Sequence, residues 1–200
     1  MDPRIARTRR ALQQALLGLV RERELEAVTI ADVVERAEVT RSSFYLHYSD
    51  KETLLADALD ALAEEEGAEL PELLELIAEP PQALIAYLRH FDANAEVYRR
   101  VLGPHGSAVA SDRLHASIEA LAASALAQTG TDAFTDVPLD VAAAGLAGSV
   151  VGVLRAWIAR EPRPSVEEGA GWIWQVLIGP GGAWQSMGAE RRDRATSPLD

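Results

Sequence analysis

The sequence predicts an all-α fold, and three observations carry that expectation. Apolar residues recur at the i, i+3, i+4, i+7 spacing of one helix face in segment after segment, as in Ile30, Val33, Val34 and Ala37. Residues that cap helices stand directly ahead of such runs: Thr29, Thr40, Asp50 and Ser165. No stretch alternates apolar and polar residues as a strand would, and there is no internal repeat.

Composition narrows what the chain can do. Of 200 residues, 48% are apolar, which gives ample core for one or two small domains. There is no cysteine, so disulfides, thiolate zinc sites and cysteine nucleophiles are excluded. No apolar run precedes Ala11, so no secretory signal is expected. The longest uncharged apolar run, 141–154, is 14 residues, short of the ~20 that span a bilayer. A cytoplasmic protein with no membrane partner is therefore expected.

The net charge of −12 is unevenly spread. Residues 1–51 hold nine Lys and Arg against eight Asp and Glu, whereas residues 52–200 hold ten against 23. Arg4, Arg7, Arg9 and Arg10 face a single acid, Asp2, at the very start. A weakly basic end on an acidic body fits a protein that meets nucleic acid with one end only.

The first helix is expected over 3–24, with Leu12, Ala15, Leu16, Leu19 and Val20 as its apolar stripe. Arg7 and Arg10 near its start are candidate phosphate contacts, though terminal arginines are also commonly just solvated. The next helix starts at Thr29, with Asp32 completing a capping box. Ala37-Glu38-Val39 makes a turn, with Val39 able to plug the core. Thr40 caps a further helix through Tyr48, in which Phe44 and Tyr48 face inward. Arg41, Ser42, Ser43, Tyr45 and His47 are left pointing elsewhere, and no carboxylate lies between Val39 and Ser49. A short, acid-free helix tipped with Arg and Ser suits a DNA major groove. The spacing alone would equally suit an ordinary amphipathic helix pair.

This stretch resembles the DNA-binding domain of the tetracycline-repressor (TetR) family of bacterial transcriptional regulators. The residues that carry the resemblance are Thr29-Ile30, the AEVT turn at 37–40, Phe44-Tyr45-Leu46-His47-Tyr48, Asp50-Lys51-Glu52 and Leu54-Leu55. The family often has Gly where this chain has Glu38. The resemblance implies a three-helix helix-turn-helix domain at 1–49 and a helical ligand-binding and dimerisation domain at 50–178. It implies a double-stranded DNA operator as partner, with Arg41, Ser42 and Ser43 at base edges. Thr29, Thr40, Tyr45, His47 and Lys51 would hold phosphates, Lys51 together with the free N–H groups of the helix start at Asp50.

In the body, Leu54, Leu55, Ala58, Leu59 and Leu62 continue the helix capped by Asp50. Glu64-Glu65-Glu66-Gly67 ends it as a solvated acidic run. Pro71, Pro80 and Pro81 are placed at helix starts. A helical segment over 82–102 is expected to break at Asp92-Ala93-Asn94, and 103–106 is a loop. A long helix follows over 107–128, with Leu114, Ile118 and Leu121 inward, and then a loop over 129–137. Two helices, 138–160 and 166–178, close the fold, the second with a Ser165–Glu168 capping box. Residues 179–200 have no periodicity and read as a tail.

Gly145, Gly148, Gly152 and Ala156 recur at helical spacing. Each Gly costs a helix roughly 0.8–1.0 kcal/mol relative to Ala, and the close approach of another helix would account for them. The resemblance implies that the last two long helices pair with those of a second copy. The aromatics Tyr87, Phe91, Tyr98, Trp157 and Trp172, with His115 and His90, are candidates to line a small-molecule pocket. Each alone would equally be core. No histidine pair has i, i+4 spacing on one helix, so no metal is expected, and no cofactor. The motifs of serine hydrolases, zinc proteases, P-loops and dinucleotide sites are absent, which argues against an enzyme. The expected function is a ligand-responsive homodimeric repressor at a palindromic operator. The alternative is a helical small-molecule-binding or protein-interaction module that has lost operator binding.

Overall fold

A computed structural model describes residues 3–67, 80–129 and 136–177, and over these the fold is all-α. The expected tail at 179–200, Pro71 and most of the 129–137 loop lie outside the described residues.

Helix α1 spans Pro3–Glu22 and buries Leu12, Ala15, Leu16, Leu17, Leu19 and Val20. It ends two residues before the expected Glu24, where the chain turns through a 3-10 turn at Leu25–Ala27 that sinks Leu25 and Val28 into the core. Helix α2, Ile30–Arg36, has the expected capping box. The Asp32 N–H donates to Thr29 Oγ1 at 3.2 Å, and the Thr29 N–H donates to Asp32 Oδ2 at 2.8 Å. The turn after it puts Glu38 at φ 54, in the left-handed region where a side chain costs on the order of 1 kcal/mol.

Helix α3 is shorter than expected. It spans Arg41–Tyr45, not Arg41 to Tyr48. The N–H groups of His47 and Tyr48 both donate to Phe44 O at 2.9 Å, which tightens and closes the last turn. That closure buries Tyr48 and frees Ser49 and Asp50 to extend and cap the next helix.

Helix α4, Lys51–Glu65, starts with Asp50 accepting from the Thr53 N–H at 2.7 Å. It packs on α1 on one side and on the long helix α7, Ala108–Thr129, on the other. Leu54, Leu55, Ala58 and Leu59 join one apolar cluster that runs from Leu12 to Trp174. The domain boundary expected at 49–50 therefore marks the start of a helix and not a gap in the core.

Helices α5, Gln82–Ala93, and α6, Ala95–Val101, are separated at Asn94. The Asn94 side chain donates to the His90 carbonyl at 3.1 Å and so competes with the backbone for an acceptor. Helix α8 spans Leu139–Ile158. Helix α9 occupies 166–177, and its capping box is formed: the Glu168 N–H donates to Ser165 Oγ at 3.2 Å, and the Ser165 N–H donates to Glu168 Oε2 at 2.9 Å.

By length and composition alone α8 could cross a membrane, but here one side of it is packed inward. Ala143, Ala147, Val151, Leu154 and Ile158 are buried, while Val141, Gly145, Gly148, Gly152 and Ala156 lie exposed on the opposite side. From Val141 to Gly152 the exposed side carries no charge and consists mainly of small residues.

Candidate nucleic-acid interface

The capping of α3 fixes its surface. The Ser43 N–H donates to Thr40 Oγ1 at 3.1 Å, and the Thr40 hydroxyl also lies 2.8 Å from Ser42 Oγ and 2.9 Å from Ser43 Oγ. Three hydroxyls are thus tied into one cluster at the helix start. With Phe44 and Tyr48 buried, the outward face consists of Arg41, Ser42, Tyr45 and Leu46. Arg41 stacks its guanidinium 5.8 Å from the Tyr45 ring centroid and reaches the Tyr45 hydroxyl at 3.4 Å, so the two long side chains extend together. Ser43 and His47 are half-buried at the edges of this face.

Two residues expected at phosphates have other partners. The Thr29 hydroxyl donates to Asp32 Oδ2 at 2.7 Å, within the capping box. Lys51 is the other. Its Nζ donates to Leu25 O at 2.7 Å and to Val28 O at 2.9 Å, two carbonyls of the 3-10 turn, the first of which also accepts from the Val28 N–H at 3.1 Å. The ammonium thus clamps the α1–α2 connection to the start of α4. Of the two N-terminal arginines offered as phosphate contacts, Arg7 is exposed and Arg10 pairs with Glu65 at 3.0 Å, both partners well solvated.

Behind α3 a polar cluster joins three helices. Asp57 of α4 accepts from the Tyr48 hydroxyl, from Arg9 Nη2 at 2.9 and 2.8 Å, and from Gln13 Nε2 at 2.7 Å. Burial would raise the Asp57 carboxyl, but these hydrogen bonds outweigh it and hold it below its ordinary value. Burial, with the hydrogen bond to Asp57, pushes the Tyr48 hydroxyl up to about 12.

Further along α4, a cavity of about 250 Å³ lies between α4, α5, α6 and α7. Tyr87, Phe91 and Tyr98 line it and touch one another, with ring centroids 5.1 Å apart for Tyr87–Phe91 and 4.3 Å for Phe91–Tyr98. The other three expected ligand residues do not line it. Trp157 is wholly buried, its ring against the backbone of Gly169 and its Nε1 donating to Pro164 O at 3.1 Å. Trp172 lies under the Arg160 guanidinium at 4.8 Å. His115 sits beside Gly148, near the exposed side of α8.

Beside His90, already named as a candidate, the cavity brings in residues that the spacing did not single out, among them Asp60 and Arg113. His90, only 4% exposed, has Nδ1 2.5 Å from Glu66 Oε2 and Nε2 2.6 Å from the Tyr98 hydroxyl. Asn94 donates to both Glu66 oxygens at 3.0 Å. Burial would raise Glu66, but the hydrogen bonds from Asn94 and His90 hold it below its ordinary value. Asp60, paired with Arg113, is raised by burial. The end of α4 is therefore joined to α5 and α6 at the cavity wall, as Asp57 joins its middle to α1 and the α3 turn. The three cavity aromatics were visible in the sequence by type; the Glu66–His90 pairing spans 24 residues and leaves no local signal.

Residues 14–58 match the profile of bacterial regulatory proteins of the tetR family. An uncharacterised HTH-type transcriptional regulator of Bacillus subtilis (strain 168), YxbF, is 43% identical over 56 residues, and the match spans 28% of this chain but only 15% of that relative's length. Solved structures agree over far more of the fold. A TetR transcriptional regulator from Streptococcus agalactiae 2603V superposes with a TM-score of 0.60 at 23% identity, covering 88% of this chain and 96% of that one. RolR in complex with the ligand resorcinol superposes with a TM-score of 0.59 at 22% identity, covering 100% and 98%. The sequence likeness to the tetR-family regulatory proteins thus lies on the helix-turn-helix segment that holds α2 and α3, and over nearly the whole chain the protein shares the fold of the solved regulators.

Proposed function

We propose that this regulator is a cytoplasmic repressor that binds a palindromic operator as a homodimer and is controlled by a small aromatic effector. The observation that carries the DNA-binding half of this reading is the outward face of α3, free of acids and held rigid by the Thr40 cap. Arg41, Ser42 and Ser43 face base edges, while Thr29, Thr40, Tyr45 and His47 lie along the phosphates. Lys51 holds the domain together behind them. A two-fold dimer would set its two α3 helices about 34–36 Å apart, one turn of DNA, or a multiple of it.

The exposed apolar side of α8 supports the dimer. A Cβ at Gly145 or Gly152 would meet nothing within 4 Å in the single chain, so nothing inside the protomer requires glycine there. A second copy packed backbone to backbone does. The clustered rings of Tyr87, Phe91 and Tyr98 support an aromatic effector, as does the fold likeness to RolR, whose bound ligand is resorcinol. An effector controls the operator only if it binds the two arrangements of α4 unequally. Selection from random duplex DNA followed by a mobility-shift assay tests the reading. Enrichment of a two-fold symmetric site bound by a dimer is expected, and recovery of no preferred sequence would leave a helical module without operator recognition.

A further inference from the structure

Leu46 is 81% exposed, the most exposed of the large apolar side chains among the described residues. A single exposed leucine needs no explanation in itself. Its position does. Leu46 is the C-cap of α3, with φ −72 and ψ −19, so it continues the helical register. Arg41, Ser42, Tyr45 and Leu46 then fall at i, i+1, i+4 and i+5, one continuous outward strip. Three members of that strip can hydrogen-bond and the fourth cannot. A side chain without donor or acceptor has only one apolar partner on the floor of a major groove, the 5-methyl group of thymine.

We propose that Leu46 is a specificity-determining residue that reads a thymine 5-methyl group in each half-site. The inference rests on the reading of α3 as the base-reading helix. Polar alternatives at this position would select by hydrogen bonds, but leucine selects by shape and desolvation. It therefore favours T·A over C·G, which lacks the methyl group. The neighbouring Tyr45 is 50% exposed and carries the Arg41 guanidinium over its ring, so the two polar long side chains of the strip are held to each other and Leu46 stands beside them.

Deoxyuridine tests this directly, because it pairs as thymidine does and lacks only the methyl group. A duplex selected by the wild-type protein is remade with each thymine replaced in turn, and dimer binding is measured for wild type, Leu46→Ala and Leu46→Met. The expected result is one symmetry-related position where deoxyuridine weakens wild type about four-fold per half-site, the factor equivalent to one buried methyl group. Leu46→Ala should bind thymine and uracil there alike, while Leu46→Met should retain the discrimination. Wild type indifferent to every replacement, or Leu46→Ala as sensitive as wild type, would overturn the proposal. Failure to select any duplex would overturn the base-reading role of α3 itself and is distinguishable from both.

Discussion

Asp57 of α4 accepts the hydroxyl hydrogen of Tyr48, the buried residue that closes the turn after α3. Arg9 and Gln13 of α1 converge on the same carboxylate. One side chain thereby holds three elements around the helix-turn-helix. Asp57→Asn, which removes the charge, should cost about 1–3 kcal/mol. The pH dependence follows from the direction of the shift. The folded carboxyl lies below its ordinary value, so its contribution is present above the unfolded value, about 3.9, and is lost as pH falls through the folded one. Urea titrations across pH should show wild type and Asp57→Asn converging in acid. A constant gap at all pH values would assign the loss to packing instead.

Lys51 offers a prediction with two readouts. Lys51→Met keeps the stem and removes the ammonium, which takes from the Val28 carbonyl its charged donor and leaves the Leu25 carbonyl with the Val28 N–H alone. A stability loss of about 1–3 kcal/mol is expected. The salt dependence of DNA binding should be unchanged, because no phosphate loses a cation. If stability is unaltered and the slope of log K against log salt flattens by about 0.9, the ammonium belongs to the DNA and not to the turn.

Substitution at Gly152 separates the dimer from the protomer. A side chain there has open space in the single chain, and Leu in a helix is favoured over Gly by roughly 0.8 kcal/mol. Gly152→Leu should therefore fold at least as well as wild type, yet sediment as a monomer or a weakened dimer. An intact dimer with full operator affinity would place the interface elsewhere.

What could be read in the sequence was local, and what escaped it was tertiary. The Thr29–Asp32 and Ser165–Glu168 capping boxes involve residues three apart, so spacing alone located both helix starts. Tyr87 and Phe91, one turn apart on α5, were legible for the same reason. Trp157 and Trp172 were attractive by residue type, but nothing local says that Trp157 seals against Gly169 or that Trp172 lies under Arg160. Lys51 matched its motif, but the direction of its side chain depends on carbonyls more than 20 residues away. The end of α3 at Tyr45, which turns Leu46 outward, depends on where Tyr48 must be buried, and periodicity does not encode that.

The cavity gives a test of effector control that leaves the core intact. Ser117 of α7 lines the cavity from its exposed side. Ser117→Phe should fill the space between the rings of Tyr87 and Phe91 and the Asp60–Arg113 pair. In a screen of small phenols, a compound that changes operator affinity of the wild type should lose its effect on Ser117→Phe, with operator binding in its absence unchanged. Coupling of 1–3 kcal/mol would appear as a roughly 5–150-fold change. A compound equally effective on both proteins acts at another place.

If the outward face of α3 reads bases, the effect is sharpest at Arg41. Base preference at every position of a selected operator should be measured for wild type and Arg41→Ala. If Arg41 pairs with guanine, the variant loses about 1–3 kcal/mol and its preference relaxes at one position per half-site while the others stand. Uniform weakening across all sequences, with every base preference retained, would make Arg41 a phosphate contact and contradict base reading by α3.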